Sequence, residues 1–132
     1  MKLTSRSEYA LLALIELARA GGERMSGEAI ATAQGIPLKF LQQILLVLKR
    51  ARYVQSVKGQ HGGYRLAKPA QSISLAEVVR LFDGALAPTE SVSHYFYEPT
   101  PIEKEKKLIE VFLSIRNFVA EKMESTTLAD VS

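Results

Sequence analysis

Apolar positions near the start of the chain recur at helical spacing. Over residues 7–20, Leu11, Leu14, Ile15 and Ala18 form a stripe that Tyr9, Leu12 and Leu17 widen, and Gly21-Gly22 ends the run. This predicts a buried helix with a glycine stop. Ser26 then caps a short helix carrying Ala29, Ile30 and Ala33, which breaks at Gly35. Pro37 suits the first turn of the next helix, where a missing amide costs nothing, and Leu38, Leu41, Ile44, Leu45 and Leu48 follow at helical spacing to Ala51. The two helices meet at a tight turn, Gln34-Gly35-Ile36. Residues 53–58 alternate toward a strand, residues 59–63 form a glycine-rich tip, and Tyr64-Arg65-Leu66 returns antiparallel, which predicts a hairpin.

After a connector at residues 68–71, Ser74-Leu75-Ala76-Glu77 matches the reciprocal capping pattern that starts a helix, here running to Phe82 and stopped by Gly84. Residues 85–101 mix proline, serine and aromatic residues without a period and read as a long loop. A second long helix is expected over residues 102–123, with Leu108, Phe112, Ile115 and Val119 at alternating steps of four and three and Ile109, Val111 and Phe118 on neighbouring faces. Residues 127–131 suggest a short terminal helix. The expected fold is mainly α with a small β-hairpin. It divides into a winged helix-turn-helix over residues 1–84, a loop over 85–101, and a dimerisation helix with the C-terminal segment over 102–132.

The order helix, short helix, tight turn, helix, glycine-tipped hairpin, helix is that of a winged helix-turn-helix, in which the helix after the turn enters the major groove of DNA. Its early exposed positions are expected to be Leu38, Lys39, Gln42 and Gln43, with Phe40 assigned to core packing. Glutamine bonds bidentately to adenine, and lysine reaches a guanine edge or a phosphate. In the hairpin tip, Lys58 supplies a cation, while Gly59, Gly62 and Gly63 let the backbone approach closely, next to His61 and Tyr64. Such a wing lies along phosphates or places its basic residue in the minor groove. The same glycines suggest a phosphate loop, but no Gly-Lys-Ser/Thr ending is present and a strand follows where that motif needs a helix. His61 has no neighbouring ligand in the sequence and reads as a polar contact at the tip.

Composition narrows the partner. The chain has 132 residues, 47% hydrophobic and 23% charged, which is globular, and its longest apolar run is too short to cross a bilayer. With no secretory pattern at the start, a cytoplasmic location is expected. Residues 1–68 carry 11 Lys/Arg against 4 acids, net +7, and residues 69–132 carry 6 against 10, net −4. The basic half is suited to a polyanion. No Ser-His-acid or paired-carboxylate arrangement is evident and only two histidines are present, so an enzyme is not expected. The competing reading is a winged helix used as a protein-interaction module that regulates through a bound partner protein.

The opening Met1-Lys2-Leu3-Thr4-Ser5 with Tyr9-Ala10, the segment Gly35-Ile36-Pro37 with Leu41-Gln42-Gln43-Ile44-Leu45 and Leu48, and the wing Val57-Lys58-Gly59 with Gly62-Gly63-Tyr64 resemble the IscR-like (Rrf-two) family of bacterial winged helix-turn-helix transcriptional regulators. Ser74 to Phe82 and Thr127-Leu128 match as well, so the likeness covers nearly the whole chain outside 85–101. The resemblance implies a homodimer with crossing C-terminal helices and double-stranded DNA as partner. It also implies DNA contacts at Lys39, Gln42, Gln43 and Lys58, the last standing where an arginine often enters the minor groove.

Many members of that family sense through an iron-sulfur cluster held by three cysteines in the loop before the dimer helix. This chain has no cysteine. Imidazole and carboxylate alone do not hold such a cluster, so the expectation is no cofactor. Ser91 and Ser93 lie in this loop where thiols could have been. Glu8, Glu90, His94 and Glu98 offer oxygen and nitrogen donors for a metal but without tight ligand spacing, and no metal site is assigned. Tyr95, Phe96 and Tyr97 are expected to pack against the dimer helix, the alternative being the lining of a small-effector pocket.

Overall fold

The computed structural model describes residues 1–60 and 62–132. Helix α1, Ser5–Arg19, is capped by Thr4, whose Oγ accepts from the Ser7 amide at 3.4 Å. Thr4 also donates from its hydroxyl to Asp83 Oδ1 at 2.5 Å and from its amide to Asp83 Oδ2 at 3.1 Å, tying the start of α1 to the end of helix α4. Helix α2, Gly27–Gln34, starts at Ser26, whose Oγ accepts from Ala29 N at 3.0 Å, and stops at Gly35 in the left-handed region with φ 65°. Helix α3, Leu38–Arg50, follows at 118° to α2. That sharp angle is what a single left-handed glycine between two helices permits. Pro37 is the cap residue of α3 rather than its first helical position, with ψ 125° and its carbonyl accepting from Leu41 N at 3.0 Å.

The core is built where α1, α2 and α3 meet. Leu14, Leu17, Ile30, Leu41, Leu45 and Leu48 are buried there, with Ile73, Val78 and Leu128 closing it from the C-terminal side. Each fully buried aliphatic side chain contributes about 1.5–3 kcal/mol relative to exposure. Leu38 belongs to this core and not to the exposed face: it is half-buried and its Cδ1 lies over Gly27. Its position one turn before Leu41 and two before Leu45 puts it on the inward side of α3.

Strands β1, Val54–Val57, and β2, Gly63–Leu66, pair antiparallel with Val54 opposite Leu66 and Val57 opposite Gly63. The hairpin is not isolated, because Met25 adds a third short strand segment. Met25 N donates to Tyr64 O at 2.9 Å and Tyr64 N donates to Met25 O at 2.8 Å. A hairpin alone is marginal in water, and this bridge joins the wing to the helical body.

Helix α4, Leu75–Asp83, begins with both halves of the expected box: Ser74 N donates to Glu77 Oε2 at 2.8 Å, and Glu77 N donates to Ser74 Oγ at 3.2 Å. Residues 85–101 are less open than their composition suggests. Leu86, Ala87, Val92 and Ser93 are buried, and Thr100 Oγ donates to Ser91 Oγ at 2.8 Å.

The long helix starts later than its apolar stripe predicts. Residues Pro101–Lys104 form one tight turn, Glu105 is extended at φ −104° and ψ 95°, and α5 spans Lys106–Ser125. The stripe has no apolar member between Ile102 and Leu108, so nothing in the packing holds those residues in the helix. Helix α6, Leu128–Val131, folds back onto the body: Leu75 N donates to Thr126 O and Leu128 N to Ile73 O, each at 2.9 Å, and Leu128 is fully buried. No single described helix is long and apolar enough to cross a membrane.

Candidate nucleic-acid interface

Helix α3 divides cleanly. Leu41, Ile44, Leu45 and Leu48 face the core, whereas Lys39, Phe40, Gln42, Gln43 and Leu46 face solvent. The sequence therefore places Lys39, Gln42 and Gln43 correctly as exposed, and they share one helical surface. Phe40 departs from its expected core role: it is 54% exposed, because residue 40 precedes Leu41 by a single position and so points away from the inward stripe.

The wing stands beside the C-terminal end of this helix. Lys58 follows β1 and is exposed, and Gly59 turns the chain at φ 118° with its carbonyl accepting from Gly62 N at 3.0 Å. Gly62 and Gly63 are required by close approach. A Cβ would come within 2.6 Å of Val57 O at Gly62 and within 2.5 Å of Met25 O at Gly63. Tyr64 is half-buried against the core, so its ring supports the wing from within. His61 lies outside the described residues.

Between α3 and the wing runs a groove of about 640 Å³ lined by Lys49, Arg52, Lys58 and Lys68 together with Gln55 and Ser56. Among the described residues no acidic side chain lines it. Reading the sequence for exposed positions of one helix missed Lys49, Arg52 and Lys68, which reach the groove from three different segments. The signal that was present is the cluster Lys49-Arg50-Ala51-Arg52 at a helix end. Arg52 carries φ 68°, a left-handed conformation in which a non-glycine residue costs of order 1–3 kcal/mol. Lys68 Nζ sits 4.5 Å over the Tyr53 ring, and Tyr53 Oη donates to Glu77 Oε1 at 3.2 Å, linking the wing base to α4. Burial first, then the charge and hydrogen bond of Glu77, raise the Tyr53 hydroxyl above its ordinary pKa, so it stays a neutral donor.

Helix α5 leaves an apolar face uncovered by its own chain. Leu108 and Ile115 of the expected stripe are exposed, with Val111 and Phe118 beside them, Phe118 at 74%. Phe112 and Val119 are half-buried, turned partly toward the body. The pattern of exposure follows steps of three and four through Leu108, Val111, Ile115 and Phe118.

The loop residues are drawn onto α5 only in part: Tyr95 lines a cavity with Arg116, Asn117 and Ala120 of that helix. Tyr95, Phe96 and Tyr97 are exposed. The Arg80 guanidinium lies 4.9 Å over the Tyr95 ring, and the Tyr97 hydroxyl donates to Glu103. The face of the Tyr95 ring and the hydroxyl of Tyr97 find charged partners at the surface, which a purely apolar packing role ignores. Among the described residues no group of three His, Asp or Glu side chains converges in a way that holds a metal, so Glu8, Glu90, His94 and Glu98 are not brought together.

A three-helix body, a tight glycine turn between α2 and α3, and a glycine-tipped wing flanked by cations define a winged helix-turn-helix regulator. The chain belongs to the Rrf2 family, whose profile, described as an iron-dependent transcriptional regulator, matches residues 3–132. A Mycobacterium tuberculosis protein named as an HTH-type transcriptional regulator is 38% identical over an alignment that covers 100% of this chain and 81% of that protein. The structure of CymR, the global cysteine regulator of Bacillus subtilis, superimposes with a TM-score of 0.85 at 28% identity, covering 99% of this chain and 95% of the other. IscR of T. potens gives a TM-score of 0.75 at 28% identity, covering 99% and 85%. The named relatives are transcriptional regulators.

Proposed function

We propose that this protein is a sequence-specific DNA-binding transcriptional regulator that acts in the cytoplasm as a homodimer, with α3 in the major groove and the wing against the minor groove or backbone. The observation that carries this reading is the exposed set Lys39, Gln42 and Gln43 on one surface of α3, together with the basic groove of Lys49, Arg52, Lys58 and Lys68 at the end of the same helix. The amides supply base readout and the four cations supply the phosphate contacts that hold α3 in register. A second copy of this chain is the partner for the α5 face, since two-fold pairing sets two recognition helices against two half-sites of a rough palindrome.

The signal in this reading is not an iron-sulfur cluster. The chain has no cysteine, and the loop hydroxyls are already engaged: Ser91 and Thr89 with Thr100, and Ser93 with the Phe96 amide. That donor set does not fit a cluster, which needs thiolates. A small effector or a protein partner remains the class of signal to seek.

The test is Gln43→Ala against the operator selected from a random DNA pool. Loss of a glutamine–adenine pair removes about 1–3 kcal/mol of discrimination, so affinity for the operator falls while affinity for random DNA holds. An equal fall on both sequences removes Gln43 from base reading.

A further inference from the structure

Phe40 is the one large apolar side chain among the polar residues at the start of the α3 solvent face, between Lys39 and Gln42, and it is 54% exposed. Isolated surface hydrophobics are ordinary and call for no explanation. This one stands inside the surface that the proposed function assigns to base reading. It shares a cavity of about 340 Å³ with Ser5, Arg6 and Tyr9 of α1 and with Gln43 and Ile44, so its ring is not sealed against the neighbouring helix. The Arg6 guanidinium lies 5.3 Å over the Phe82 ring, and among the described residues no cation stacks on Phe40.

A phenyl ring has no hydrogen-bonding atom to offer a base edge. In the major groove the unmodified bases present donors, acceptors and one apolar group, the thymine C5 methyl. Phe40 and Gln43 are three residues apart on one helix, about 4.5 Å along its axis, against about 3.4 Å between successive base pairs. The two side chains therefore address the same or adjacent steps. We infer that Phe40 is a specificity-determining residue whose ring meets the C5 methyl of a thymine within one base-pair step of the adenine read by Gln43. The inference rests on the DNA-reading proposal and adds to it a named base and a named atom.

Replacing thymine by deoxyuridine removes that methyl and leaves the pairing edge intact, which makes the test direct. The full-length protein is titrated by fluorescence anisotropy with its selected operator and with copies carrying single thymine-to-uracil changes. Burial of one methyl-sized group corresponds to about a fourfold change in affinity. One thymine position per half-site is expected to show that loss with the wild-type protein, and both half-sites changed together to show about fifteenfold. With Phe40→Ala, whose exposed position leaves folding intact by circular dichroism, thymine and uracil operators bind equally.

Two results overturn the inference while leaving DNA reading standing: specific binding with no uracil-sensitive position, as expected of a ring that docks a protein or a second copy instead, or a uracil effect that persists unchanged in Phe40→Ala. A selection that returns no preferred sequence overturns both proposals together.

Discussion

The attachment of the wing to the body hangs on one glycine. Gly63 sits opposite Val57 in the hairpin, and its Cα lies so close to the segment before α2 that a Cβ would stand 2.5 Å from Met25 O, 2.7 Å from Met25 C and 3.0 Å from Ser26 N. All three are backbone atoms, so no side-chain rotation relieves the overlap. Gly63→Ala must move a strand. Overpacking of this kind costs about 1–3 kcal/mol, and if the strand lifts, the two backbone bonds between Met25 and Tyr64 add about 1 kcal/mol each. The sum, about 3–5 kcal/mol, is a large share of the 5–15 kcal/mol typical of a domain. With a urea dependence of about 2 kcal/mol per molar, the unfolding midpoint drops by about 1.5–2.5 M. Gly59→Ala is the control. Gly59 has φ 118° and nothing within 4 Å, so that change strains the backbone locally and leaves the Met25–Tyr64 bridge in place. Hydrogen exchange of the Tyr64 amide separates the two: it accelerates in Gly63→Ala and holds in Gly59→Ala. A wild-type midpoint together with a protected Tyr64 amide in Gly63→Ala would show that the close approach of Gly63 to Met25 does not hold the wing to the body.

Lys58→Ala should reduce the steepness of the salt dependence of DNA binding by about one unit of log–log slope if the lysine neutralises a phosphate, and an unchanged slope removes it from the backbone contact. Phe118→Asp should convert the proposed dimer to monomer in sedimentation equilibrium without loss of helical signal, since the ring is 74% exposed within one chain; a variant that stays dimeric excludes this face. Asp83→Asn probes the clasp between α1 and α4. Burial, the largest single influence on this carboxyl, raises its pKa, but the Thr4 hydroxyl, Ser7, the Thr4 amide and Arg6 together outweigh it and hold the pKa below the ordinary value. A folded pKa below the unfolded one means that the stabilisation is present above about pH 4 and is lost as pH falls through the depressed folded value. The variant should therefore be less stable than wild type at pH 7, by about 0.5–1 kcal/mol at this half-exposed rim, and the gap should close toward pH 3. A gap that persists in acid contradicts the ionised clasp.

Much of the fold is local and was therefore legible along the chain. The stripe Leu41, Ile44, Leu45, Leu48 fixes which side of α3 is buried, and so which side carries Lys39, Gln42 and Gln43, because the helical period leaves no other choice. The same holds for the Ser74–Glu77 box and for Gly35, where side-chain chemistry or positive φ selects the conformation within a few residues. Leu38 and Phe40 were misassigned, and both sit at the first turn, where too few periodic positions precede them to fix the phase.

What the tertiary structure decided is everything that depends on distant segments meeting. The basic groove draws Lys49, Arg52, Lys58 and Lys68 from a helix end, a left-handed corner, the end of a strand and a connector, and no spacing along the chain encodes that convergence. The bridge from Met25 to Tyr64, the clasp from Thr4 to Asp83 and the return of Leu128 to Ile73 are likewise contacts between segments 39 to 79 residues apart, made only once the core has placed both partners. Periodicity reports which face of each element is apolar. Which faces then cover one another, and which stretch of α5 is left without cover, is settled by packing in three dimensions.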